Sequence, residues 1–160
     1  MSMSVQIATL TAVLAVAFFV RMPQVSGLSM EPYIDSGEYV LINTVAYRLA
    51  QPNRGDVVAF RHERSAPSVY LKRVIGLPGD RIVIRYGAVR VNGTPIKEDY
   101  VRFPDSRSFP EITVPQHAFY VLGDNRANSD DSRFWGFVKQ DQVIGRAIAA
   151  VWPIGRLGSL

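Results

Sequence analysis

Ser29 stands in the stretch Ser26-Gly27-Leu28-Ser29-Met30-Glu31-Pro32, a hydroxyl beside glycine and just ahead of a proline. Gly27 lets the backbone approach closely, and Pro32 fixes the dihedral downstream. Ser29 is therefore expected at a bend that a base and amide donors can reach, the setting a serine nucleophile needs. The same residue types also make ordinary connections between segments. A base must come from elsewhere in the chain.

The strand-like run Val69-Tyr70-Leu71-Lys72-Arg73-Val74-Ile75 offers one. A two-residue period places Tyr70, Lys72 and Val74 on one face and Leu71, Arg73 and Ile75 on the other. An amine flanked by Tyr70 and Val74 is desolvated, which lowers its pKa and lets the neutral form take a proton from a hydroxyl. The alternative is an exposed lysine whose stem lies along the sheet. A further stretch, Leu122 to Gly136, follows a clear strand and crowds amides, hydroxyls, carboxylates and guanidinia into one loop. An EF-hand calcium loop starting at Asp124 is excluded, since Arg126 and Ser129 occupy positions that need an oxygen ligand and glycine. Phe134 and Trp135 are expected to anchor the loop to the core.

The elements that must position these residues are mostly short strands. Val and Ile, with aromatic residues, mark Glu38–Asn43, Asp56–Phe60, Val69–Ile75, Arg81–Arg85, Ala88–Asn92, Ala118–Leu122 and Val143–Val151. Turn signals at Asp35-Ser36-Gly37, Arg54-Gly55-Asp56, Pro78-Gly79-Asp80 and Asn92-Gly93 separate them. The expectation is a mainly β, antiparallel domain over 21–160. Only Thr44 to Gln51 suggests a short helix, ended by Pro52. Arg61 to Ser68 and Arg102 to Pro115 read as polar loops.

Met1 to Val20 holds no charged side chain. As a helix of about 1.5 Å rise per residue it reaches roughly 30 Å, the thickness of a bilayer's hydrocarbon core, so residues 1–20 read as one transmembrane anchor. A removed signal peptide competes, but the basic n-region is missing. Arg21, the nearest charge, does not orient the span.

Composition narrows the classes further. A chain of 160 residues with 48% hydrophobic and 20% charged residues supports one sizeable core. With no cysteine there is neither a disulfide framework nor a thiolate zinc site, and His62 and His117 are the only histidines. No metal or other cofactor is expected. The net charge of +4 comes from scattered Lys and Arg, which suits anionic surfaces rather than nucleic acid reading.

Taken in order, Gly27-x-Ser29-Met30-x-Pro32, Tyr70-Leu71-Lys72-Arg73 running on to Pro78-Gly79-Asp80, and Gly123-Asp124-Asn125-Arg126 followed by Ser129, Asp131 and Arg133 resemble the type I signal peptidases. The resemblance implies a signal-peptidase-like β domain anchored by an N-terminal transmembrane helix. It would lie on the outer side of the bacterial cytoplasmic membrane, with the lipid bilayer and preprotein signal peptides as partners, and cut after small residues. It implies Ser29 as nucleophile, Lys72 as general base, Ser129 as the hydroxyl that orients the amine, and Asp131 with Arg133 and Arg73 as charged support. Substrate is expected along Val25, Ser26, Gly27, Leu28 and Met30 on one side and Tyr70 and Leu71 on the other.

Two positions depart from the family pattern. Some relatives carry a hydroxyl two residues before the nucleophile, where this chain has Gly27, so the oxyanion donors are the Ser29 amide with or without Ser26. Tyr33 stands where the family usually has threonine. A tethered, non-catalytic β-barrel binding module is the alternative of a different class. It gives no reason for a buried lysine, a bend at Ser29 and the Ser129 loop together. A histidine-based hydrolase would have to recruit His62 or His117, both expected at the surface.

Overall fold

Residues rich in β-branched side chains and separated by tight turns form strands here, as their local chemistry favours. The structure, a computed structural model, describes residues 19–62, 69–152 and 158–159. In chain order the strands are β1 (Val20–Arg21), β2 (Tyr39–Asn43), β3 (Val57–Arg61), β4 (Val69–Gly76), β5 (Arg81–Arg85), β6 (Ala88–Val91), β7 (Thr94–Pro95), β8 (Phe109–Thr113), β9 (Ala118–Leu122), β10 (Val138–Lys139), β11 (Val143–Trp152) and β12 (Gly158–Ser159). A short α-helix, α1 (Ser132–Trp135), and two 3-10 turns, Arg126–Asn128 and Gln140–Gln142, lie between them. The larger sheet runs β1-β2-β11-β3-β4-β9-β10, with β12 added on β11, and the smaller runs β7-β6-β5-β8. All these strand pairings are antiparallel.

β4 lies between β3 and β9 in the larger sheet, with Lys72 opposite Val58 and Arg73 opposite both Val57 and Leu122. Its side chains serve two cores. Leu71 packs with Met30, Ile34, Ile42 and Ala59, whereas Val74 and Tyr70 pack with Val58, Phe60, Phe119 and Val121. A third core under the smaller sheet joins Ile82, Ile84 and Val89 to Tyr120 and Leu122. A central strand with both faces covered shields its charged residues from bulk water. Lys72 and Arg73 are both buried.

The expected transmembrane helix lies, up to residue 18, outside the described residues. Val20 is extended and pairs with Asn43, so any helix that precedes it ends by Phe19. Among the described residues no helix is long and apolar enough to cross a membrane. Residues 63–68 of the expected loop after Arg61 also fall outside the described set.

Two local expectations are corrected. Thr44 to Gln51 forms turns rather than a helix. Asn43 Oδ1 accepts the Val45 amide, and the stretch is too short for helix propagation to offset nucleation. Arg102 to Pro115 is not all loop, because Phe109–Thr113 is β8. It contains Pro110, which cannot donate to a ladder and is tolerated only because β8 is an edge strand paired with β5 alone.

Candidate active site

The bend that carries Ser29 is built between β1 and β2. Its hydrogen bonds run from the Glu31 amide to Leu28 O and from the Ile34 amide to Met30 O, and the completely buried Ile34 and nearly buried Met30 fasten it to the core. Burial of two such side chains contributes about 1.5–3 kcal/mol each. Gly27 serves this bend by its conformation. Its φ is +104°, and a Cβ added there would meet nothing within 4 Å, so the backbone twist rather than a close approach requires glycine. The Gly27 amide donates to Ser36 Oγ at 3.2 Å.

Lys72 reaches this bend from β4. Its Nζ lies 2.6 Å from Ser29 Oγ and 3.1 Å from the carbonyl oxygen of Leu71, and 5.7 Å from the centre of the Tyr70 ring. Only 2% of Lys72 is exposed. Burial lowers its pKa to about 8, against the carboxylates of Asp131, Asp130 and Asp124, which act to raise it. Roughly a tenth of the amine is then neutral at pH 7, against less than a thousandth for a solvated lysine. A neutral amine in this place can accept the hydroxyl proton as the oxygen attacks.

Ser29 and Lys72 open onto a cleft of about 450 Å³. Val25, Ser26, Met30, Tyr70 and Leu71 line it, as do Pro23, Gln24 and Val69. Gly27 and Leu28 do not line it, and Leu28 points to solvent, 43% exposed. Gln24 and Val69 extend the two walls that sequence reasoning marked. Nothing in their types distinguishes them, since neighbours of a cleft in space need carry no chemical signature.

The loop after β9 lies behind the pair. Asp131 is completely buried, caps α1 by accepting the Arg133 amide, and is gripped by Arg133 Nε and Nη2, both at 2.8 Å. Arg73 goes elsewhere. Its guanidinium pairs with Asp124 at 2.9 and 2.7 Å and lies over the Tyr100 ring. Ser129 is buried, and its Oγ makes no hydrogen bond in the structure; it is not bonded to Lys72. It sits against Gly123, where an added Cβ would come within 2.2 Å of Ser129 Oγ and 2.5 Å of the Ser29 carbonyl oxygen. Only hydrogen at that α-carbon allows the loop to approach the bend.

Asn125 was not among the expected site residues. Its amide donates to Ser29 O at 3.0 Å, and its side-chain Nδ2 is 3.3 Å from Glu31 Oε2, so it ties loop and bend together. Its place two residues after Gly123 in a loop dense with hydrogen-bonders is the signal that could have found it.

The histidines lie apart from this arrangement. The His62 ring is half-buried, with its centre 4.5 Å from that of Trp135. His117 is exposed on a cleft of about 880 Å³, which shares no lining residue with the Ser29 cleft. Among the described residues no group of three or more His, Cys, Asp or Glu side chains is placed to hold a metal ion.

The family described as "Signal peptidase, peptidase S26" matches residues 1–152. A protein named "Signal peptidase I" from Leptolyngbya laminosa is 38% identical over 139 residues, covering 82% of this chain and 68% of that protein. "Probable signal peptidase I-2" of Synechocystis is 39% identical over 137 residues, covering 82% of this chain and 63% of its own length. In three dimensions the chain is similar to the crystal structure of a signal peptidase I from Enterococcus faecalis V583. That match has a TM-score of 0.54 and 35% identity, and covers 60% of this chain and 96% of the other.

Proposed function

The chain belongs to the signal peptidase, peptidase S26, family, and from that premise we propose that it removes signal peptides from exported preproteins with Ser29 as nucleophile and Lys72 as general base. One observation carries the assignment of residues: a lysine 2% exposed, with its Nζ 2.6 Å from a serine Oγ, at the floor of an open cleft. The substrate lies in the cleft as an extended strand, and alternate side chains point into the walls near Met30 and Tyr70. Ser29 Oγ attacks the scissile carbonyl while Lys72 takes its proton, and the Ser29 amide faces the oxyanion. Lys72 then passes the proton to the departing amine, which leaves as the new N-terminus of the mature protein. The acyl group stays on Ser29 as an ester. A water, deprotonated by Lys72, attacks that ester and frees the signal peptide. The Lys72 amine is held by the Leu71 carbonyl at 3.1 Å, and Asp131 with Arg133 holds the loop on which Ser129 stands.

The residues before Val20 anchor the domain, and cleavage takes place at the outer face of the bacterial cytoplasmic membrane. Incubating the protein with a preprotein and weighing the products by mass spectrometry tests activity and position together. Cleavage after alanine, with a small residue two positions earlier, is expected. Efficient cutting after Phe, Leu or Arg counts against the cleft assignment. The full chain should sediment with membranes and resist carbonate extraction, and recovery in the soluble fraction counts against the anchor.

A further inference from the structure

The connection between β7 and β8, residues 96–108, lies outside the cleft, yet it holds the loop behind Ser29 through both backbone polar groups of one residue, Gly123. The Gly123 amide donates to Asp131 Oδ2 at 3.0 Å, and the Gly123 carbonyl accepts Arg126 Nε at 2.9 Å. Each of these holders is itself held by a carboxylate of the connection. Glu98 takes both Nη atoms of Arg126 at 2.6 and 3.0 Å. Asp105 takes Nη1 of Arg133 at 2.7 Å, while the rest of that guanidinium grips Asp131. The Ala127 amide adds a backbone tie to Phe103 O at 3.1 Å. Gly123 is also the residue whose α-carbon abuts both Ser129 Oγ and the Ser29 carbonyl. Its position therefore decides where the nucleophile's bend and the Ser129 hydroxyl stand relative to Lys72.

We propose that Glu98 and Asp105 are positioning residues for the reaction at Ser29, acting on the Gly123 backbone through Arg126 and through the Arg133–Asp131 pair. This rests on the peptidase reading above. Both pairs are nearly dry. The Arg126 and Glu98 side chains are 5% and 12% exposed, and those of Arg133 and Asp105 are 2% and 11%. In such surroundings a bidentate or forked guanidinium contact fixes direction as well as distance. Removing one carboxylate leaves a buried guanidinium free to turn toward other acceptors, and Gly123 moves with it. Neither carboxylate lines the cleft, so the loss falls on the chemical step rather than on substrate binding.

The test compares Glu98→Gln, Asp105→Asn, Asp105→Glu and Arg107→Gln with the unmodified chain. It uses a synthetic signal-peptide substrate, after circular dichroism has verified folding. Arg107 is the control. It bonds the same Asp105 carboxylate from the exposed side, and reaches Gly123 only through Asp105 itself. Glu98→Gln and Asp105→Asn should each lower kcat about ten-fold or more, with KM changed less than about two-fold, as sub-ångström misplacement of reacting groups does. Asp105→Glu should recover most of the lost kcat, and Arg107→Gln should stay within about two-fold of the unmodified chain. The inference is overturned if both neutral variants keep kcat, if KM alone rises, if Arg107→Gln loses as much as Asp105→Asn, or if either neutral variant fails to fold. Should the unmodified chain leave the peptide intact, the peptidase reading fails instead. The acylation burst with p-nitrophenyl acetate, which needs only an activated Ser29, then ranks the same variants, and an unchanged burst overturns the inference.

Discussion

The amine of Lys72 must be dry enough to be neutral and close enough to Ser29 to take its proton, and one placement meets both needs. Desolvation outweighs the pull of Asp131, Asp130 and Asp124 and leaves a pKa of about 8. The sign of the pH dependence follows. The active form is the unprotonated amine, so kcat/KM should rise about ten-fold per pH unit below 8 and level off above it. A flat profile between pH 6 and 9 would argue against Lys72 as base. Arginine in the same place stays protonated at any working pH, so Lys72→Arg should fold and lose at least about a thousand-fold in kcat, as loss of a general base in a coupled pair does. Ser29→Ala should match it. The double change His62→Gln with His117→Gln should leave cleavage within about two-fold, since neither ring belongs to the Ser29 cleft. A dead histidine double variant beside an active Lys72→Arg would overturn the assignment.

Among the elements, the bend over residues 27–34 carries the nucleophile without belonging to either sheet, and its rigidity comes from packing. Ile34 is 0% exposed against Val40 and Ile42. Ile34→Ala should cost about 2–5 kcal/mol of stability, read as a lower urea midpoint, and should also lower kcat because the bend loses its anchor. An unchanged midpoint would show that the bend is held by other means. How such elements read from sequence differs case by case. The Val57–Arg61, Val69–Gly76 and Ala118–Leu122 strands are legible because β-branched and aromatic residues run between strong turn signals. β8 is hidden by Pro110 and by edge exposure that erases alternation. The order of strands, with β11 between β2 and β3, has no local signature at all. At the site, the motifs mark Ser29 and Lys72 although 43 positions separate them. Glu98 and Asp105 lie in a stretch without period, and their partners are legible only in space. Arg73 adjoins Lys72 in the motif, yet its partner is Asp124 rather than Asp131, because strand pairing with Leu122 sets which carboxylate it meets.

For the molecule as a whole, the interior charges are mostly in pairs: Arg73 with Asp124, Arg126 with Glu98, Arg133 with Asp131. Lys72 differs from these pairs, since its hydrogen bonds go to a hydroxyl and a carbonyl. A buried amine without a carboxylate in contact costs the fold stability wherever it would be charged in the unfolded chain. Its pKa falls from an ordinary 10.5 to about 8 on folding, so between those values the unfolded chain binds more protons than the folded one. Stability contributed by this group therefore rises with pH from about 8 to 10.5 and is constant below and above. The full span corresponds to roughly 3 kcal/mol. Lys72→Met, which fills the same space without a charge, should accordingly be the more stable protein at pH 7. Its advantage should shrink through pH 9 and close near 10.5. Guanidinium midpoints of both proteins at pH 7, 9 and 10.5 measure this. Tyr47, Tyr100 and Tyr120, whose pKa values burial raises, are common to both proteins and cancel in the difference. A gap that stays constant with pH would mean that Lys72 keeps its ordinary protonation when folded, and the proposed base would then lack the neutral amine its chemistry requires.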